Sequence, residues 1–242
     1  MNRRTTLICI LALILGFYGC KQEQPRETVC LLDISKSITP DSVRYEFKLM
    51  DELVDRMHRG DRLVIIPITD SAVSETPGHV LSFTAPTSRQ PYDHDLVVFR
   101  QQAHGRVHKM RDVAIAHPSE RTDIFGALDV AKQEFDVGSS ENSPKHFRKT
   151  LIVLSDFLED DGTYRFVSDR SMTTDEGAVL LAQRFQSKHD YGIDNVRIYA
   201  GGLGSADLRN LPPQRQQAIR TFWKQSLAPI WNPQIIESIA SQ

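Results

Sequence analysis

The chain has little cysteine, no long apolar run and no excess of positive charge. Three of its 242 residues are cysteine, and its formal net charge is -2. It contains no uninterrupted apolar run of the roughly 18 residues that a membrane-spanning helix needs, so a protein with several membrane spans is excluded. Without bulk positive charge, nucleic-acid binding is not expected. Hydrophobic residues make up 40% and charged residues 25%, which is typical of a globular domain.

The first residues form a distinct segment. Arg3 and Arg4 precede an almost wholly apolar stretch from Leu7 to Gly19, which ends at Cys20. A basic head, a short apolar core and a small residue before a cleavage point are typical of a secretory signal. The segment resembles the signal peptide of a bacterial lipoprotein, which implies that residues 1–19 are removed and that Cys20 carries the lipid.

The predicted location follows from that segment. Whether the signal is cleaved or stays as an uncleaved N-terminal anchor, we expect an exported protein held on a membrane of the bacterial cell envelope. Residues 20–27 are then the lipidated cysteine and a polar linker, and residues 28–242 are one domain. After cleavage Cys30 would be the one remaining thiol besides the lipidated Cys20, so no intrachain disulfide is expected.

Apolar runs alternate with amphipathic stretches along this domain. The predicted strands are residues 28–32, 63–68, 80–84, 150–154 and 196–200. The predicted helices are residues 41–59, 93–116, 123–135, 174–189 and 212–227. Continuous apolar runs suit strands that are covered on both faces. The fold class we predict is therefore α/β, with a doubly wound, mostly parallel sheet and helices on both faces.

Oxygen-bearing side chains follow two of the predicted strands. Asp33, Ser35 and Ser37 come directly after the first strand, and Asp156 follows the strand at 150–154. Ligands of such sheets bind at the carboxyl ends of the strands. Carboxylates and hydroxyls suit Mg²⁺, Mn²⁺ or Ca²⁺ better than Zn²⁺. In the alternative interpretation, the serines cap helices and the two acids are buried and satisfied by backbone N–H groups.

The order of these residues points to a known family. Asp33-x-Ser35-x-Ser37, then Thr122 in a loop, then Asp156 after an apolar strand, resembles the metal-ion-dependent adhesion site of von Willebrand factor type A (VWA) domains. The resemblance implies that Ser35 and Ser37 bind the metal directly. It implies that Asp33, Asp156 and Thr122 bind it directly or through water.

The resemblance also implies a function. The free metal position would take a carboxylate from a partner protein, so the chain would be an adhesion or assembly module and not an enzyme. Mg²⁺ is the expected cofactor, with Mn²⁺ or Ca²⁺ as alternatives. Asp123, beside Thr122, is a possible group of the metal's outer shell. Asp156 is commonly followed by Gly in this family, whereas this chain has Phe157.

Two other functions remain open. A phosphohydrolase could use Asp33 as its nucleophile, but that chemistry calls for a second acid two residues later, where this chain has Ser35. A scaffold that keeps the fold without using a metal is the other alternative. His104 and His108 are spaced as metal ligands on a predicted helix, but Gly105 lies between them, and a solvent-facing surface is the interpretation we favour. The acidic run Glu159-Asp160-Asp161 also predicts a solvated loop.

Overall fold

The computed structural model describes residues 24–75, 79–88, 93–138, 147–188, 196–201, 206–231 and 234–235. The predicted signal peptide and Cys20 lie outside the described residues. Among those described, no helix is both long and apolar enough to cross a lipid bilayer.

The described residues form one sheet with helices on both of its faces. The strands are β1 Arg26–Asp33, β2 Arg62–Ile68, β3 Leu81–Thr84, β4 Arg148–Leu154, β5 Val196–Gly201 and β6 Gln234–Ile235. The helices are α1 Pro40–Asp55, α2 Ala72–Glu75, α3 His94–Ala116, α4 Ile124–Gly138, α5 Asp175–Gln186, α6 Ala206–Asn210 and α7 Pro213–Trp231, with a 3₁₀ turn at Arg170–Thr173. The strand order is β3-β2-β1-β4-β5-β6, and every pairing is parallel except that of β2 with β3. The predicted doubly wound fold class is confirmed.

The core has two parts, one on each face of the sheet. Along β1, Val29 and Leu31 contribute to one part, while Cys30 and Leu32 contribute to the other. The first part contains the apolar sides of α4, α5 and α7, and the second contains those of α1 and α3. Because both faces of the central strands are covered, these strands are apolar at consecutive positions instead of alternate ones.

Helix α1 shows how the local sequence sets an element's bounds. The Thr39 hydroxyl accepts a hydrogen bond from the Ser42 N–H at 3.2 Å, which caps the N-terminus, and Pro40 occupies the first turn. The predicted helix reached residue 59, but α1 ends at Asp55. The Asp61 carboxylate accepts the backbone N–H of His58 at 2.8 Å, which holds the chain in a turn before β2.

The edge strand β3 is confirmed as a short antiparallel strand. It pairs only with the first half of β2, as far as Ile65. Pro67, which lacks an N–H donor, lies beyond that pairing. In the described sheet it is paired with β1, opposite Leu32. Three short elements, α2, α6 and β6, were not predicted because each is too short to show a hydrophobic period.

Candidate functional site

The predicted site lies between β1 and β4, where the strand order of the sheet changes direction. β1 and β4 are parallel neighbours in register, with Leu32 opposite Leu154, so both strands deliver their next residues to the same edge. The helices that follow β1 and precede β4 belong to opposite faces of the sheet. Such a switch point leaves a crevice at the carboxyl ends of the strands, and it is where α/β folds bind ligands.

The Asp33 carboxylate is completely buried at this edge. One of its oxygens accepts the backbone N–H of Ser35 at 2.9 Å, and the other accepts the Ser155 hydroxyl at 2.6 Å. Ser155 also accepts the backbone N–H of Phe157 at 2.9 Å, so it links the two strand ends. Burial raises the pKa of Asp33, and the hydrogen bonds from Ser155 and Ser35 only partly offset it.

The serines and the second aspartate complete a compact group. The hydroxyls of Ser35 and Ser37 are 2.8 Å apart. One oxygen of Asp156 accepts the Leu158 N–H at 2.9 Å. The other is buried and has no hydrogen-bond partner of ordinary geometry in the described part of the chain. Burial, and then the charge of Asp33, raise the pKa of Asp156 to about 7, although the nearby Ser37 hydroxyl lowers it.

A third carboxyl group, Glu46, belongs to the same group of acids. It lies on α1, one oxygen is buried without a partner among the described residues, and burial together with the charges of Asp33 and Asp156 raises its pKa to about 9. The sequence contained a signal for it. Glu46 falls on the apolar stripe of α1, between Val43 and Met50, where a charged residue is out of pattern.

The loop that carries Thr122 packs against the loop after β1. The backbone of Ser119 accepts the Lys36 N–H at 2.8 Å and donates to Ile34 at 2.9 Å. Thr122 is buried and its carbonyl accepts the Asp160 N–H at 2.9 Å. Among the described residues no hydrogen bond joins the Thr122 hydroxyl to the other four predicted ligands. The backbone contacts of Ser119 thus place this loop beside the edge, while Thr122 itself pairs with Asp160 in the loop after β4.

Asp123 is used for capping. Its two carboxylate oxygens accept the N–H groups of Gly126 at 2.7 Å and Ala72 at 3.0 Å, so it holds the first turn of α4 and the start of α2. A methyl group on Gly126 would lie 2.2 Å from this carboxylate, which explains the glycine. Both Asp123 oxygens therefore accept hydrogen bonds from backbone N–H groups.

The acidic run after β4 is not the uniformly solvated loop that its composition predicts. Glu159 is completely buried and accepts the Ile124 N–H at 3.0 Å, at the N-terminus of α4. Burial, with the charges of Asp123 and Asp161, raises its pKa well above the usual range. Oxygens of Asp123, Glu159 and Asp161 lie within 4.8 Å of one another, a group that could hold a cation. Asp161, however, already accepts two backbone N–H groups at 2.6 Å.

Phe157 occupies the position where the resemblance leads one to expect glycine. Its φ is 61°, in the left-handed region that glycine adopts without strain. The strain is compensated by burial, because the ring packs edge-on against Trp223 at 5.5 Å between centroids. The Trp223 indole N–H also donates to the Phe157 carbonyl at 3.0 Å. The backbone after Asp156 therefore has the glycine-like conformation although the residue differs.

Comparisons with known proteins give structural neighbours. No protein-family model and no curated protein sequence matches the chain. A von Willebrand factor type A structure from Catenulispora acidiphila is similar at 18% identity over 90% of this chain, with a TM-score of 0.48. Proximal thread matrix protein 1 from the mussel byssus, with a zinc-occupied MIDAS motif, is similar at 13% identity over 85%, with a TM-score of 0.44. The pilus adhesin SpaC from Lactobacillus rhamnosus GG is similar at 12% identity over 90%, with a TM-score of 0.46.

These neighbours are longer proteins. The chain spans 40% of the Catenulispora chain, 46% of the byssus protein and 29% of SpaC.

Proposed function

We propose that this protein is a VWA-type module that binds a protein partner through a divalent cation, without enzymatic activity, and is tethered to the cell envelope by its N-terminus. The observation that supports it best is the group of buried acids at the switch point. Asp33, Asp156 and Glu46 all have raised pKa values, and a buried Asp156 oxygen has no hydrogen-bond partner of ordinary geometry among the described residues. Buried carboxylates of this kind are stabilised by a cation.

The side chains present fit Mg²⁺. Asp33, Asp156, Ser35 and Ser37 offer hard oxygens, and Thr122 lies on the adjoining loop. When bound, the ion would supply a positive charge that can also attract a partner's carboxylate. Ser35, two residues after Asp33, cannot act as a general acid in place of a carboxyl, so the phosphohydrolase alternative gains no support.

A groove large enough for a protein segment lies beside this site. It has a volume of about 560 Å³ and begins at Ile34 and Ser119, next to the candidate ligands. Helix α3 contributes Arg106, Lys109 and Met110 to its wall, and Asp70 and Glu120 line it as well. A lining of both charges with apolar residues between them suits a protein segment of mixed charge that presents one carboxylate to the metal.

We expect full-length protein to bind Mg²⁺ with one site and to be stabilised by it. Binding to the folded state alone adds about 2.7 kcal/mol of stability when the free ion is at a hundred times its Kd. Titration calorimetry and thermal melts measure both quantities. Asp33→Asn removes a charge from the site and should abolish both effects. The exposed Ser168→Ala is the matched control and should behave like wild type. Equal Mg²⁺ binding by wild type and Asp33→Asn would contradict the proposal.

The tether has its own test. In a bacterial host fed labelled palmitate, the wild type should incorporate the label and fractionate with membranes. Cys20→Ser should lose the label, whereas Cys9→Ser should keep it because Cys9 belongs to the segment removed. Labelling that survives in Cys20→Ser would show that the anchor is not a lipid on this cysteine.

A further inference from the structure

A second group of metal-ligating side chains lies between helices α1 and α3. His104 and His108 are one turn apart on α3, and both imidazoles face Asp51 of α1. The Nδ1 atom of His104 is 2.7 Å from one Asp51 oxygen, and the Nε2 atom of His108 is 3.0 Å from the other. The sequence favours a solvent-facing surface for this pair. That expectation is wrong for His104, because it is directed at the neighbouring helix.

The other nitrogen of His104 has its own partner. Its Nε2 atom lies 2.9 Å from an oxygen of Asp55, one turn after Asp51 on α1. Burial lowers the pKa of His104 but its hydrogen bonds to Asp51 and Asp55 raise it more, so an ion that binds Nδ1 displaces a proton there while the Nε2 N–H stays on Asp55. Metal-binding histidines are held in this way. Asp55 thus fixes the orientation that directs His104 Nδ1 at Asp51.

The three inner groups are of the right chemical type and are close enough. One atom from each of Asp51, His104 and His108 falls within 4.8 Å of the other two. A tetrahedral Zn²⁺ ion with bonds near 2.0–2.1 Å needs its ligand atoms about 3.3 Å apart. The separations of 2.7 and 3.0 Å run to the two different oxygens of Asp51, so the carboxylate must rotate, or bind through both oxygens, to share one ion with the two imidazoles.

The group is open to solvent and separate from the sheet edge. The side chains of Asp51 and His104 are each 25% exposed, and that of His108 is 47% exposed, so an ion can enter without unfolding. Asp51 lies eleven residues after Pro40, about 16 Å along α1 from the end that adjoins the β1 loop. Its ligands include nitrogen, unlike the all-oxygen set at the switch point, so the two sites select different ions.

We propose that Asp51, His104 and His108 bind one Zn²⁺-class transition-metal ion, with Asp55 as the positioning residue and water in the remaining coordination position. The ion would clamp the middle of α1 to α3. This site is independent of the proposed Mg²⁺ site, and either could exist without the other.

Cobalt provides the test, because Co²⁺ replaces Zn²⁺ and absorbs visible light strongly when it is tetrahedral. Full-length protein is first saturated with Mg²⁺ and then titrated with Co²⁺ while the visible d–d bands are recorded. Wild type should bind one equivalent, and Zn²⁺ should displace it. His104→Gln and His108→Gln should lose the bands. Asp55→Asn should keep them with an affinity about 10- to 100-fold lower.

Matched variants test whether the Co²⁺ bands come from this group of side chains. His94→Gln removes an exposed histidine from the first residue of the same helix and should leave Co²⁺ binding unchanged. Asp33→Asn should also leave it unchanged. The half-exposed His108 provides a variant that should fold normally, which circular dichroism without metal verifies. Bands that persist in His108→Gln, bands lost in Asp33→Asn, or no bands in wild type would each overturn the proposal.

Discussion

The metal-free protein should become less stable as the pH rises from about 4 to about 9. The folded-state pKa values of Asp156 and Glu46 are about 7 and about 9, against ordinary values of 3.8 and 4.5. Between each pair of values the folded protein holds a proton that the unfolded chain has released. The free energy of unfolding therefore falls with rising pH in that window and levels off above the folded-state pKa. A tenfold difference in proton affinity between the folded and unfolded states is worth about 1.4 kcal/mol, so the total loss is on the order of several kcal/mol.

Mg²⁺ should remove much of this pH dependence. A cation at Asp33 and Asp156 favours their charged forms, so stability in saturating Mg²⁺ should fall less, or rise, across the same range. Urea unfolding at several pH values, with chelator and with Mg²⁺, gives the two curves. Glu46→Gln should flatten the metal-free curve because it removes one of the titrating groups. Buried acids elsewhere, such as Glu159 and Glu27, titrate in the same direction and should contribute equally to both curves. Parallel curves would argue against a cation at this site.

Phe125→Ala should destabilise the fold by about 3–5 kcal/mol. Phe125 is 3% exposed and lies in the first turn of α4, at the centre of an aromatic cluster. Its ring centroid lies 4.1 Å from that of Phe185, 5.2 Å from Tyr164 and 5.4 Å from Trp223. Removing the ring loses its buried area and leaves a cavity that rigid aromatic neighbours cannot fill by small movements.

An exposed residue on a packed helix gives the comparison. Leu180 lies on α5 and is 55% exposed, so Leu180→Ala should change the free energy of unfolding by no more than about 0.5 kcal/mol. Chemical denaturation of both variants provides the measurement. A loss below about 1 kcal/mol for Phe125→Ala would mean that the cluster repacks and does not depend on this ring.

The sequence was sufficient to predict the features that depend on local pattern. Strand runs such as 150–154 identified the central sheet, and the polar residues after them marked the edge where Asp33 and Asp156 meet. The sequence does not predict features that depend on which helix packs against which strand or helix. Glu46 is recognisable in the sequence as a charged residue on the apolar stripe of α1. Its nearness to Asp33, however, follows from how α1 packs.

The pair of histidines shows the same limit more clearly. Their spacing alone predicts only that they share a side of α3. Asp51 and Asp55 likewise share a side of α1, and nothing local indicates that these two sides meet. The packing of α1 on α3 over the second part of the core brings them together. Phe157 is the opposite case. Its left-handed backbone conformation is a local property, but a phenylalanine at that position does not predict it.

The strand order has a consequence for partial unfolding. β1 and β4 are the two innermost strands, flanked by β2 on one side and β5 on the other, whereas β3 and β6 form the margins. Amide protons of innermost strands exchange with deuterium only when nearly the whole sheet opens, while margins fray at much lower free energy. The two loops that carry Asp33 and Asp156 are therefore anchored to the slowest-exchanging part of the molecule, and fraying at either margin leaves their anchorage intact.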